Sequence, residues 1–192
     1  MNKTKHISLV IPEGTCLLSS VVGTHNIFTT ANEYWIRKGG ESAFNIQLVG
    51  ITREIKLHKG LFSIHPEVHI DEVTDTDLII IPAVIGDFAA DLELNKPFFP
   101  WITEHYKKGT EIASLCTGSF LLASTGLLRG RRCTTHWIVE GLFRQLFPEV
   151  DLMTEKIITD ESGLYSSGGA FSFLNFIIYL IEKYYDRDTA VY

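Results

Sequence analysis

Apolar residues recur along this chain at two spacings, one typical of strands and one of helices. Residues 6–11 and 44–51 are short apolar runs of strand length, the first closed by Pro12. Between them Leu18, Val21, Val22, Ile27 and Phe28 fall at helical spacing. This predicts a helix over residues 15 to about 38, ended by Gly39-Gly40. Residues 54–70 alternate weakly around Gly60 and Pro66, a pattern for short antiparallel strands or a loop. The run DLIIIP, 77–82, is apolar almost throughout and reads as a strand buried on both faces in the middle of a parallel sheet.

Further on, residues 100–108 read as a helix stopped by Gly109, 111–115 as a strand and 119–125 as a helix. Residues 132–135 form a short strand and 138–147 a helix closed by Pro148. Residues 157–166 make a hairpin-like pair around Asp160-Glu161-Ser162-Gly163. Phe173, Phe176, Ile177, Leu180, Ile181 and Tyr184 mark an amphipathic last helix. Strands alternating with helices predict a single α/β domain, helices packed on both sides of a mostly parallel sheet. Ligands in such folds bind beyond the carboxyl ends of the strands.

Composition narrows the function classes. The chain has 192 residues, 45% of them hydrophobic, enough for one full core. Its apolar runs fall short of a membrane span, and its N-terminus lacks the core of a signal peptide, so no membrane role and a cytoplasmic location are expected. Three cysteines, Cys16, Cys116 and Cys133, give no C-x-x-C spacing, which argues against a disulfide framework or a zinc site. No motif calls for a metal or a cofactor. The net charge of −6 argues against nucleic-acid binding over a broad face of these residues. The local cluster Arg129, Arg131 and Arg132 reads as a solvated turn.

The chemistry concentrates in EIASLCTGSFLLASTGLLRGRRCTTHW, residues 111–137. A strand stops at Cys116 and Thr117-Gly118 turns the chain into a helix. The layout matches a nucleophile elbow, G-x-S-x-G, with Cys in the Ser place and Ser114 in the first Gly place. Gly118 is expected because a side chain would crowd the turn. Amide N–H groups at the helix start would favour thiolate over thiol.

These residues, together with GLYSSGGAFSFLNFIIYLIEKYYDRDTA near the end, resemble the ThiJ/PfpI superfamily, relatives of class I glutamine amidotransferases. More narrowly, the chain is similar to the N-terminal domain of AraC-type transcriptional regulators. The resemblance implies a flavodoxin-like three-layer sandwich, commonly dimeric, with Cys116 as nucleophile in a small pocket. It implies that the Thr117 N–H helps form an oxyanion hole and that His136 approaches the cysteine. It also implies an acidic residue early in the first helix. Here that position holds Ser20, and Thr24 stands where the family has a proline. A family Asp in the last helix is Asn175. A serine hydroxyl has no basicity near neutral pH and cannot replace a carboxylate. Glu13 and Glu33 are the nearby acids.

Three functions compete. The first is an effector-binding, homodimerising regulatory domain whose effector is a small molecule. DNA would be read by an AraC-type helix-turn-helix domain beyond Tyr192, where the chain runs on from Tyr184 without a Gly or Pro stop. Its pocket is expected to include Ser20, Thr117, Gly118 and Trp137, with Cys116 and His136 vestigial. The second is a cysteine-dependent hydrolase, hydratase or glyoxalase-like lyase using Cys116 and His136. The third is redox sensing at Cys116. Ser20 favours the first. Trp35 and Trp101 are expected to serve packing or a dimer surface.

Overall fold

The run DLIIIP does form the central strand. Leu78 and Ile80 face one hydrophobic cluster and Ile79 and Ile81 the other, and none of the four is more than 1% exposed. A computed structural model describes residues 4–169 and 172–192. Its strands are β1 (Lys5–Val10), β2 (Phe44–Gly50), β3 (Ile55–Leu57), β4 (Phe62–Ile64), β5 (Val68–His69), β6 (Leu78–Ile81) and β7 (Glu111–Leu115). The remaining strands are β8 (Arg132–Cys133), β9 (Asp151–Leu152), β10 (Ile158–Glu161) and β11 (Leu164–Ser167). The helices are α1 (Leu18–Arg37), α2 (Phe88–Leu94), α3 (Phe98–Lys107), α4 (Ser119–Ser124), α5 (Glu140–Leu146), α6 (Phe173–Tyr184) and α7 (Arg187–Val191).

The main sheet has the order β10-β11-β7-β6-β1-β2-β5. Neighbours are parallel except in the β10–β11 hairpin. The inner order β2-β1-β6-β7-β11 is that of a doubly wound, flavodoxin-like sheet, so the winding reverses between β1 and β6. One face is covered by α1, α6 and α7 through Val21, Phe28, Phe176, Ile177, Leu180 and Ala190. The other is covered by α3, α4 and α5 through Phe98, Ile102, Phe120, Leu121 and Phe143. This is the three-layer sandwich that the sequence predicts.

The differences are local. Residues 54–70 split into the antiparallel hairpin β3–β4 and a strand, β5, that extends the main sheet beside β2. The helix expected from residue 15 begins at Leu18, because Cys16 is held in a bridge with Val84. Helix α2 and strand β9 were not expected: α2 is short and starts on the Asp87 side chain, which accepts from the Ala89 and Ala90 N–H groups, and β9 has two residues. The last residues form a further short helix. Asp186 accepts from Thr189 N at 2.7 Å to start α7, and Tyr192 stacks on Tyr34 with ring centroids 4.2 Å apart.

Truncating the central strand should be felt throughout the sheet. Ile80→Ala is expected to lower the unfolding free energy by about 2–5 kcal/mol, read from urea denaturation followed by circular dichroism. A loss below about 1 kcal/mol would contradict the central, two-sided burial of β6.

Candidate functional site at the Cys116 elbow

Strand β7 ends at Leu115, and the chain passes through one turn of 3₁₀ helix, Cys116–Gly118, into α4. Cys116 takes a left-handed backbone conformation, φ +52°. For a residue with a Cβ this costs about 1–2 kcal/mol, and it is the strained turn expected of an elbow. Gly118 is needed for a different reason, since its own φ is −59°. A Cβ at Gly118 would lie 2.5 Å from the Pro82 carbonyl oxygen and 2.6 Å from that of Ile81. The elbow is therefore pressed backbone to backbone against the end of β6.

Hydroxyl groups hold the turn in place. Thr117 Oγ1 donates to Val84 O at 2.5 Å. Thr135 Oγ1 donates to Cys116 O at 3.2 Å and accepts from Ser119 Oγ at 2.7 Å. Ser20, 1% exposed, donates through Oγ to Leu17 O at 2.7 Å and accepts the Ala83 N–H at 3.2 Å. It thereby ties the first turn of α1 to the loop that also receives Thr117. The position where the family resemblance implies an acid is thus filled by a short strut between α1 and the end of β6.

Cys116 is 5% exposed. Burial pushes its thiol up from the ordinary cysteine value, and the Thr117 N–H, which pulls the other way, is the smaller influence. The sequence-based expectation of a thiolate is therefore reversed: desolvation outweighs the amides at the turn. The Ser119 N–H is already bonded to Cys116 O and Thr117 O. The one proton of the Thr117 hydroxyl is directed at Val84, so toward the sulfur that oxygen can only accept from the thiol.

His136 does not bond to the thiol. Its Nδ1 accepts the Ile138 N–H at 3.2 Å, and its ring lies against Trp137 with centroids 5.6 Å apart. An accepting Nδ1 places the ring proton on Nε2, which then donates and cannot take a proton until the tautomer changes. The neighbouring Thr135, rather than His136, meets the elbow. Trp137 is 66% exposed beside His136. Glu33 is on the surface, 3.6 Å from Arg37, and Glu13 accepts from Thr52. Asn175 is exposed on α6.

The other sequence readings find plain places. Arg131 donates to Tyr106 Oη at 2.8 Å, Arg129 pairs with Glu149 and Arg132 with Glu161, so the basic cluster is tied down at its turn. Trp35 packs edge-on against Tyr185, and Trp101 lies between Phe98 and His105. Sequence reasoning missed Asp91, 4% exposed on α2, which accepts the Thr15 N–H and leaves Oδ2 without a partner. It also missed three buried hydroxyls without partners, Thr24 Oγ1, Ser167 Oγ and Thr189 Oγ1. No spacing marks such residues, because their isolation is a property of the packed layer. Among the described residues no group of three or more His, Cys, Asp or Glu could hold a metal, and no helix is long and apolar enough to cross a membrane.

The contact at Gly118 gives a direct check. Gly118→Ala is expected to cost about 1–3 kcal/mol, since backbone rather than a flexible side chain must move. The checks are a lower Tm and faster alkylation of Cys116; an unchanged Tm would contradict the packing of the elbow on β6.

The HTH-type transcriptional regulator GbdR of Pseudomonas aeruginosa is 26% identical over 138 residues, which are 72% of this chain and 36% of that protein. The chain thus matches little more than a third of the regulator's length. Isonitrile hydratase of Pseudomonas putida is 26% identical over 126 residues, 65% of this chain and 53% of the enzyme. A crystal structure from Vibrio parahaemolyticus, described as that of a transcriptional regulator, superposes with a TM-score of 0.85 at 28% identity. The match covers 98% of this chain and 96% of that one. Residues 28–183 match the DJ-1/PfpI family, and this chain belongs to it.

Proposed function

We propose that these residues form the effector-binding and dimerising domain of an AraC-type transcriptional regulator, and that they bind a small molecule at the elbow without turning it over. Two copies would pair, and DNA would be read by a helix-turn-helix domain outside residues 1–192. One observation carries this reading. The hydroxyl of Ser20 is committed to Leu17 O and the Ala83 N–H, so the place of the acidic partner is occupied by a neutral strut. With Cys116 buried as a thiol and His136 accepting at Nδ1, the elbow lacks a poised proton acceptor.

Similarity to GbdR and to the Vibrio structure supports the regulatory reading. The net charge of −6 suits a domain that leaves phosphate contacts to another. The similarity to isonitrile hydratase and the strained backbone at Cys116 favour a second reading, a cysteine-dependent hydratase or lyase. In that reading Cys116 would attack an electrophilic carbon and the Thr117 N–H would hold the developing negative charge.

The two readings part in one experiment on the protein encoded by the whole reading frame. A compound that raises the Tm of residues 1–192 is expected to change the DNA affinity of the full protein by about 5-fold or more, the usual scale of allosteric coupling. Neither isonitriles nor small aldehydes should be consumed. Turnover that disappears in Cys116→Ala, with DNA affinity indifferent to every stabilising compound, would replace the regulatory reading with the enzymatic one.

A further inference from the structure

A cavity of about 430 Å³ lies where α1, α6 and α7 meet. Ile27 and Ala31 line it from α1, Ile178 and Ile181 from α6, and Thr189 and Ala190 from α7. The spacings, four residues on α1 and three on α6, put each pair on one face of its helix. Cavities that take small ligands run from about 300 to 1,000 Å³ and are mainly apolar, with a few polar groups that fix orientation. This one fits on both counts. Among the described residues that line it none is charged, and those with hydrogen-bonding side chains are Asn26, Thr30, Thr189 and Tyr192.

The α7 wall is lightly held. That helix has five residues, of which Thr189 and Ala190 are buried, and Tyr192 after it is exposed. Its charged side chains face partners outside the lining, Arg187 toward Glu182 and Asp188 toward Lys38. Asp186 accepts the Thr189 N–H at 2.7 Å, while the Thr189 hydroxyl, on a residue 3% exposed, makes no hydrogen bond. Burying a hydroxyl unpaired is unfavourable, and here the unpaired hydroxyl belongs to a wall of the cavity.

We propose that this cavity is a second ligand site, taking an uncharged, mainly apolar small molecule that carries an alcohol, amide or carbonyl group. The apolar body packs between α1 and α6, and the polar group pairs with Thr189 Oγ1. A hydroxyl both donates and accepts, so an alcohol or a carbonyl satisfies it equally. A carboxylate, phosphate or ammonium would lose its hydration and meet no opposite charge in the lining. A protein partner needs a wide face, about 800 Å² on each side, whereas a recess of this volume suits a small molecule. The occupant adds contacts to α7 and holds that helix down. None of the elbow residues lines the cavity, so this inference stands apart from the ligand site proposed at Cys116.

N-phenyl-1-naphthylamine, a neutral probe whose fluorescence rises in apolar surroundings, tests it in competition with 1-octanol and sodium octanoate. The probe is expected to bind saturably, and octanol to displace it at a concentration about 10-fold or more below that of octanoate. Thr30→Phe and Leu174→Trp fill the cavity from its exposed walls, and each should weaken probe binding by about 10-fold or more. Thr189→Val keeps the shape and removes the hydroxyl, and should weaken competition by octanol about 3-fold. With octanol at about ten times its Kd, amide exchange in residues 187–191 should slow by about 10-fold.

No saturable binding, binding that survives both filled variants, or equal competition by octanoate would overturn the proposal. An octanol affinity untouched by Thr189→Val would remove the hydroxyl from the site. Filled variants that turn a dimer into a monomer in sedimentation would make the groove an interface between copies and overturn the ligand site. Melting curves confirm that each variant is folded. Should the variants fold poorly, octanol-dependent exchange in residues 187–191 of the unaltered chain decides alone.

Discussion

The approach of the elbow to the end of β6 constrains everything around it. Because Gly118 has no side chain, its Cα sits against the carbonyls of Ile81 and Pro82, and the turn after β7 packs on the strand at which the winding reverses. From that contact follow the left-handed backbone of Cys116, the Thr117 bond to Val84 and the docking of Thr135 onto the Cys116 carbonyl. The loop after β6 in turn receives Ser20 from α1 and Cys16 from the loop after β1. The carboxyl ends of β6 and β7, beside the switch point of the sheet, thus meet around one cysteine whose turn is tied down by hydroxyl groups.

The electrostatic consequence separates shape from reactivity. The turn has the geometry of a nucleophile elbow, but burial pushes its thiol up from the ordinary cysteine value, and Nδ1 of His136 accepts a backbone N–H. Activation of a thiol needs a base or a positive charge within reach. Here short hydroxyl side chains fill that space, and their bonds serve the backbone. A scaffold of this kind is what the proposed function requires, since binding a small molecule without turnover needs no group poised to move protons.

Much of this was legible in the sequence, for identifiable reasons. Strand β6 could be read because a strand buried on both faces must be apolar throughout, and α6 because one-sided burial imposes helical spacing. The elbow could be read because strand, cysteine, glycine and apolar helix follow directly on one another over residues 111–124. Short elements escaped: α2 rests on a cap at Asp87 and on Phe88 and Leu92 against the core, and α7 on Asp186 and the stacking of Tyr192 on Tyr34. The direction of the Cys116 shift was misread because a local pattern reveals the amides at a turn but not how deeply the fold will bury it. Thr24, Ser167 and Asp91 were invisible for the same reason, since an unpaired hydroxyl or carboxylate is defined by what distant elements fail to bring.

The central claim is that Cys116 rests as a neutral thiol without an acidic or imidazole partner. The most direct measurement is the thiolate absorbance near 240 nm (a wavelength set by the chromophore, roughly independent of site) across pH, taken as the difference between the natural chain and Cys116→Ser. The account predicts an inflection above that of free cysteine in the same buffer, unaltered by His136→Ala. An inflection below free cysteine that moves when His136 is removed would show an activated Cys–His pair and contradict it.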